Sequence, residues 1–322
     1  MKRHMLFAAA IIIACAPSAP AQAAYPDRPI RLLVGYAPGG PVDTTARVFA
    51  KYLTDKLGQS VVVENRSGAS GMIALDATAK AAPDGYILAF AASPPLTMSP
   101  HVQQSKLFDP RTDFTPIGMI VDYTNVLLLG PQAPVKTVQE LIAYAKAHPG
   151  SVTFGSAGNG ASNHLSAELL KQQSGAPMMH VPYRGNAPAM SDVISGRITF
   201  MYDITSTAIP FIKSGNAKAL AVTSKARNPE LPDVPTMIES GLKDYEVVGW
   251  YALMGPPKLP EDVTARLVKA LNDVQADPAF RKTMVDGGYT LNNGDAKALR
   301  QRIGHEYELW GDVVKKAHIT TN

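Results

Sequence analysis

The sequence predicts an α/β protein with largely parallel sheets. Apolar runs of strand length alternate with amphipathic stretches of helix length through most of the chain, which is the βαβ pattern of that class. Several of the runs are apolar at nearly every position, as strands covered on both faces require. With 322 residues, 46% of them hydrophobic, there is material for two domains of ordinary size.

The elements follow in order. Lys2, Arg3 and His4 precede an apolar run from Met5 to Ala14, and a small-residue stretch ends at Ala21-Gln22-Ala23. This reads as a secretory leader, residues 1–23, cleaved after Ala23. A membrane-spanning helix needs about 20 apolar residues, roughly twice the length of this run. Ile12-Ile13-Ala14-Cys15 also fits the lipobox of a bacterial lipoprotein, so a form anchored at Cys15 is the alternative to a soluble periplasmic one. Cys15 is the only cysteine, which leaves the mature chain without an internal disulfide, a thiolate nucleophile or a Cys-ligated metal.

Strands are expected at Ile30–Tyr36, Ser60–Glu64, Tyr86–Ala91, Asn125–Gly130, Ser151–Phe154, Ile198–Tyr202, Ala219–Thr223 and Glu246–Leu253. The best-marked helix is Val138–Ala147, with Thr137 and Glu140 as a capping box and His148-Pro149-Gly150 as its stop. Val263, Leu267, Leu271 and Val274 form one apolar stripe, and Leu299, Ile303, Trp310 and Val314 another; both read as core faces. The 31 Lys plus Arg stand against 27 Asp plus Glu, and no basic run carries interleaved aromatics, so nucleic acid is not an expected partner.

Two stretches carry the chemistry. In "FGSAGNGASNHLSAELLK", residues 154–171, a strand feeds a loop with Gly155, Gly158 and Gly160, and a helix starts at once. "IRLLVGYAPGGPVDTTAR" repeats that plan near the start of the mature chain. Such loops lie beyond the carboxyl ends of strands and turn backbone N–H groups and a helix dipole towards an anion. Glycines there also serve tight turns alone, so the weight rests on two matched loops in one secreted chain. The dinucleotide fingerprint fails because Asn163 stands at its third glycine, and no G-x-x-x-x-G-K-[ST] loop is present. Carboxylate is the anion that remains.

Other residues have competing readings. Ser156, Ser162 and Ser166 lie near His164 in sequence, yet the G-x-S-x-G elbow of a serine hydrolase is absent. His164 and Glu168 are one turn apart, two metal-type ligands without a third. Asp43 is most simply an N-cap turned to the backbone. Arg184 suits either a second ligand carboxylate or solvent, and Asp203 either a ligand hydroxyl or the cap of the next helix.

Taken together, "YPDRPIRLLVGYAPGGPVDTTAR", "VVVENRSGASGMIA", "APDGYILAF", "SAGNGASNHLSAELLK", "HVPYRGNAPAMSDVISG", "LAVTSKARNPELPDVPTMIESG" and the Trp250 segment resemble the substrate-binding proteins of tripartite tricarboxylate transporters, the Bug or TctC-like family. The likeness spans the mature chain. It implies a two-lobed, Venus-flytrap periplasmic binding protein of type II that delivers a small organic carboxylate to one large and one small membrane subunit. It implies neither catalysis nor cofactor nor metal, and the protein is expected to act as a monomer.

Carried over by motif, the carboxylate meets the backbone of Pro38, Gly39 and Gly40 from one lobe. From the other it meets Ser156 to Ala161, including Gly158, Asn159 and Gly160, partly through water. Tyr36, Ser93 and Tyr183 are expected selectors, and His164 and Asp203 line the site. Ala161 lacks a hydroxyl often found at its position, and Gly35 replaces a frequent Pro and is expected to loosen the mouth of the cleft. Lobe 1 is expected from residues 24–124 plus 245–322, and lobe 2 from 125–244. The chain is expected to cross near Tyr123 to Val126 and return near Asp244 to Val248, with the C-terminal helices packed on the first lobe. A secreted hydrolase using Ser156 or His164, and a carboxylate sensor for a membrane kinase, stay open beside the transport receptor.

Overall fold

The computed structural model describes residues 25–103 and 106–316; the expected leader and Cys15 lie outside them. The chain begins β1 (Ile30–Val34), α1 (Pro41–Leu57), β2 (Val61–Asn65), α2 (Met72–Ala79), β3 (Ile87–Ala92), then the short helices α3 (Ser93–Thr97) and α4 (Ser99–Val102). A long strand, β4 (Thr115–Leu129), leads to α5 (Val138–Ala147), β5 (Thr153–Ser156), α6 (Ser162–Ser174), β6 (Met179–Pro182) and α7 (Asn186–Ile194). There follow β7 (Phe200–Ile204), α8 (Thr205–Lys213), β8 (Lys218–Val222), β9 (Val248–Gly255), α9 (Glu261–Ala276), α10 (Pro278–Asp286), β10 (Thr290–Leu291) and α11 (Ala296–Lys316).

β4 belongs to both halves of the molecule. Its first part, up to Thr124, pairs with β9, while Asn125 onwards pairs with β7 and β8. The first sheet runs β2-β1-β3-β9-β4, and the second continues from β4 through β7 and β5 to β6. Within the halves, β1 is parallel to β2 and β3, and β5 to β6 and β7. β4, which passes from one half to the other, and β9, which begins just after the return crossing, run antiparallel to their neighbours, so the sheets are mixed. The second crossing is tied to the first by Thr223, whose Oγ1 accepts from Asn125 N–H at 3.0 Å and donates to Val247 O at 2.7 Å.

Burial follows the strand period of two. Leu127 and Leu129 enter a core with α5 and α6, whereas Val126 and Leu128 enter the opposite one with α7 and α8. α1, α9 and α10 cover one face of the first sheet. α2 and the start of α11 cover the other. α11 reaches past the first lobe: Leu299 and Ile303 pack with Trp250, but Trp310 and Val314 join the core of the second sheet. Before the crossing, Arg302 bridges Asp122 of β4 at 2.7 Å and Glu306 at 2.6 Å, and Trp250 Nε1 donates to Glu306 at 2.8 Å.

The expected cap of α5 is present, since Thr137 Oγ1 accepts from Glu140 N–H at 3.1 Å. Glu140 reaches back one residue further than a standard box, to Lys136 N–H at 2.7 Å. At the crossing, Tyr123 faces Gly249 in direct register. The glycine leaves room for the phenol ring to lie over the neighbouring strand.

A Cβ at Gly249 would sit 2.1 Å from Tyr123 Cζ. Gly249→Ala is therefore expected to lower stability by about 1–3 kcal/mol in urea denaturation, because the ring must leave its place. A change too small to measure would mean that the ring moves freely.

Candidate functional site

Three loops at strand ends meet between the sheets. β1 ends in the loop to Gly40, the N-cap of α1; β5 ends in the loop to Ala161, the N-cap of α6; β6 ends in the loop to Gly185, the N-cap of α7. None of the three cap residues makes a side-chain capping bond. The helix starts Val42, Ser162, Asn163, Asn186 and Ala187 line a small chamber of about 100 Å³, with Tyr36, Pro38, Gly40, Tyr123 and Ala161 around them. First-turn N–H groups have no partner within their own helix, and their dipoles favour negative charge. The chamber lining contains no acidic residue.

Asp43, in the first turn of α1, is turned away from the chamber. Its carboxylate accepts from Gly39 N–H at 2.9 Å, from Arg47 and from Asn65 Nδ2. Burial pulls its pKa up, but the bonds from Arg47, Gly39 and Asn65 outweigh that and hold it below the usual carboxylate range. Asp43 thus braces the loop from inside the helix, and Gly40 is the N-cap. Tyr123, in β4 just before the crossing, presents a phenol to Ser93 of one half and Ser162 of the other, with its pKa pushed up to about 12 by burial. It stays a neutral hydrogen-bond donor.

A larger, more open chamber of about 690 Å³ adjoins the first and shares Tyr36 and Ala157 with it. Gly35, Ser67 to Gly71, Gln103, Gly158, Asn159, Tyr183 and Arg184 complete its wall. Ser70 Oγ donates to Asn159 O across the cleft.

The structure separates the expected site residues into groups. Tyr36, Pro38, Gly40 and Ala161 line the inner chamber, and Gly158, Asn159 and Tyr183 the outer one. Pro38 has no N–H, and that of Gly39 is spent on Asp43, so neither supplies the expected backbone donor. The loop after β5 also uses most of its own donors: Ala157 N–H binds Asn163 Oδ1, Gly158 N–H binds Ser156 Oγ, Gly160 N–H binds His164 Nδ1 and Ala161 N–H binds Gly158 O. Such internal bonds set the loop's shape and leave the helix start beyond it as the donor face.

Ser93, Ser156, Gly160, His164 and Asp203 line neither chamber. Ser93 Oγ accepts from Trp250 N–H at 3.2 Å. Gly160 is pressed against Ser99, whose Cα lies 2.8 Å from where a Cβ would be. Asp203 is buried behind Asn186 and accepts from its amide, from Ile204 N–H and from Thr207 Oγ1; burial pushes its pKa up to about 6. It orients Asn186 instead of meeting a ligand. Gly35 does not loosen the mouth either, since a Cβ there would lie 2.6 Å from the Gly71 backbone.

The two residues considered for a hydrolase do not pair with each other and line neither chamber. Ser156 is fully buried, and its Oγ pairs with His180 Nε2 at 2.6 Å, not with His164. The imidazoles of His164 and His180 stack 4.0 Å apart. Among the described residues no group of three His, Cys, Asp or Glu could hold a metal.

Sequence reasoning placed Tyr123 only at the crossing, weighed Ser162 only as a hydrolase serine, and did not single out Asn186, Ala187 or His180. "HVPYRGNAP" carried the available signal, a third strand, Gly loop and helix start on the plan of the other two. Tyr123 had none, because only the pairing with Gly249 shows where its ring goes.

A family profile described as "Tripartite tricarboxylate transporter family receptor" matches residues 45–319. Protein BugT of Bordetella pertussis is 35% identical over 293 residues, covering 91% of this chain and 90% of its own. The solved periplasmic binding protein BugD is 36% identical with a TM-score of 0.88, covering 92% of this chain and 100% of its own. An R. palustris protein solved with adipate is 31% identical with a TM-score of 0.89, over 92% of this chain and 100% of its own.

Burial, and then their charged neighbours, lower the pKa of His164 to about 3 and of His180 to about 4. Their neutral forms are therefore required by the fold, and that stabilisation is complete above the unfolded value of about 6.5 and lost as pH falls towards 4. Asp203, with a raised pKa, contributes in the opposite sense. In His164→Asn, which keeps an acceptor for Gly160 and leaves Asp203 unchanged, the fall in Tm between pH 7 and pH 5 is expected to be shallower than in the wild type. Equal slopes would contradict the assignment.

Proposed function

We propose that this chain, which belongs to the tripartite tricarboxylate transporter receptor family, captures a small organic carboxylate between its two lobes and delivers it to the membrane subunits of such a transporter. The carrying observation is the convergence of the α1, α6 and α7 starts on one enclosed chamber without side-chain caps or acidic lining. A carboxylate there accepts N–H groups from both sheets at once, together with the phenol of Tyr123. Charge-assisted bonds contribute about 1.5–3 kcal/mol each, so three or four offset the ordering cost and give micromolar binding. The adipate held by the R. palustris relative supports the ligand class.

Lobe 1, residues 24–124 plus 245–322, and lobe 2, residues 125–244, close about the β4 and β9 crossings. Bonds to both lobes exist only when they are closed, so the ligand shifts the balance by its differential affinity. The leader, residues 1–23, carries the chain to the periplasm, where it works as a monomer. No covalent step is involved: the buried Ser156 is closed off from the cleft, and its hydroxyl is held by His180.

Thermal-shift measurements over a panel of organic acids test this reading. Small carboxylates are expected to raise Tm by several degrees at saturating concentration, since binding at about a hundredfold excess over Kd adds about 2.7 kcal/mol. The corresponding amides and alcohols are expected to leave it unchanged. Stabilisation by uncharged analogues alone, or turnover of esters, would refute it.

A further inference from the structure

We propose that the outer chamber receives the far end of the ligand and that Arg184 selects for a second anionic group there. This inference rests on the carboxylate-receptor reading and adds the ligand's other half.

The two chambers share Tyr36 and Ala157, so a molecule anchored at the helix starts extends past these residues into the larger space. Among the residues lining that space, Arg184 carries the only formal charge. Arg184 also stands apart from the other arginines. Among the described residues every other arginine has a carboxylate or carbonyl partner, at Asp84, Glu64, Asp43, Asp109, Asp192, Glu239, Asp122 or a backbone oxygen. Arg184 has none.

Its backbone mounting is fixed, while its guanidinium has no partner among the described residues. Tyr183 N–H donates to Ser156 O at 2.9 Å, and the Tyr183 hydroxyl donates to Asp192 at 2.7 Å. The next residue, Gly185, turns the chain into α7 with φ of +132°. Asp192, an acid close by in the fold, is already held by Tyr183 and by Arg197 at 2.9 Å, so it does not draw Arg184 away. The same short segment thus offers Arg184 to the outer chamber and the α7 start to the inner one. A guanidinium forks onto a carboxylate in two parallel bonds, which a hydroxyl or methyl terminus cannot supply. The ligand class that matches both chambers is an elongated acid with an anionic group at each end.

Calorimetric titration with diacids from succinate to suberate, each beside its matched monocarboxylate from butyrate to octanoate, tests the inference on the wild type, Arg184→Gln and Arg184→Lys. For the best-fitting pair the wild type is expected to bind the diacid about two- to fivefold more tightly, the range for an exposed ion pair. Arg184→Gln should remove that preference and leave the monocarboxylate within about twofold, whereas Arg184→Lys should keep part of it, because a point charge lacks the fork. A diacid preference that survives Arg184→Gln, or equal weakening of both acids, would overturn the assignment of Arg184. A wild type that binds monoacids as tightly as diacids would overturn the inference and leave the receptor reading standing. Binding of no acid at all would overturn both.

Discussion

The N-cap residues of α1, α6 and α7 make no side-chain capping bond, and all three helix starts border one small space. Unpaired donors away from bulk water are costly, and protein interiors satisfy nearly all of them. Natural helices usually close such ends with Ser, Thr, Asp or Asn at the N-cap. Here the caps are Gly40, Ala161 and Gly185; Asp43 in the first turn of α1 bonds back to its own loop, and Asp203 is taken up by Asn186, Ile204 and Thr207. On the proposed reading, a bound anion supplies what the caps omit.

The sheets exist in the arrangement that this convergence needs. β4 runs unbroken from one half to the other, so the parallel units on either side end with their loops facing. Thr223 fastens the outgoing and returning strands to each other within the second half. In the first half, Arg302, Asp122, Glu306 and Trp250 fasten both strands to α11. Tyr123 lies between these fastenings and lines the inner chamber, so a strand that joins the halves also contributes to the chamber wall.

Strand-length apolar runs and helical stripes were legible because burial on both faces of each sheet demands them, and the paired Gly loops were legible because anion recognition needs backbone access. The first half of β4 was not, since Pro116 and Gly118 interrupt its pattern; the ladder accommodates them with a register shift. β6 was missed as a four-residue edge strand with no buried run. Within the site, the Gly39 and Gly160 donors were misjudged because Asp43 and His164 take them, and such side-chain-to-backbone bonds leave no trace in spacing. Asp203 stood at the predicted strand end, yet its partners proved to be Asn186 and the α8 start.

A crystal structure with a bound organic acid tests the central claim most directly. The account predicts one carboxylate in the inner chamber, within hydrogen-bonding distance, direct or through one water, of the first turns of α1, α6 and α7 and of the Tyr123 hydroxyl. An acid held with its carboxylates outside that chamber, or a ligand that touches a single lobe, would contradict it.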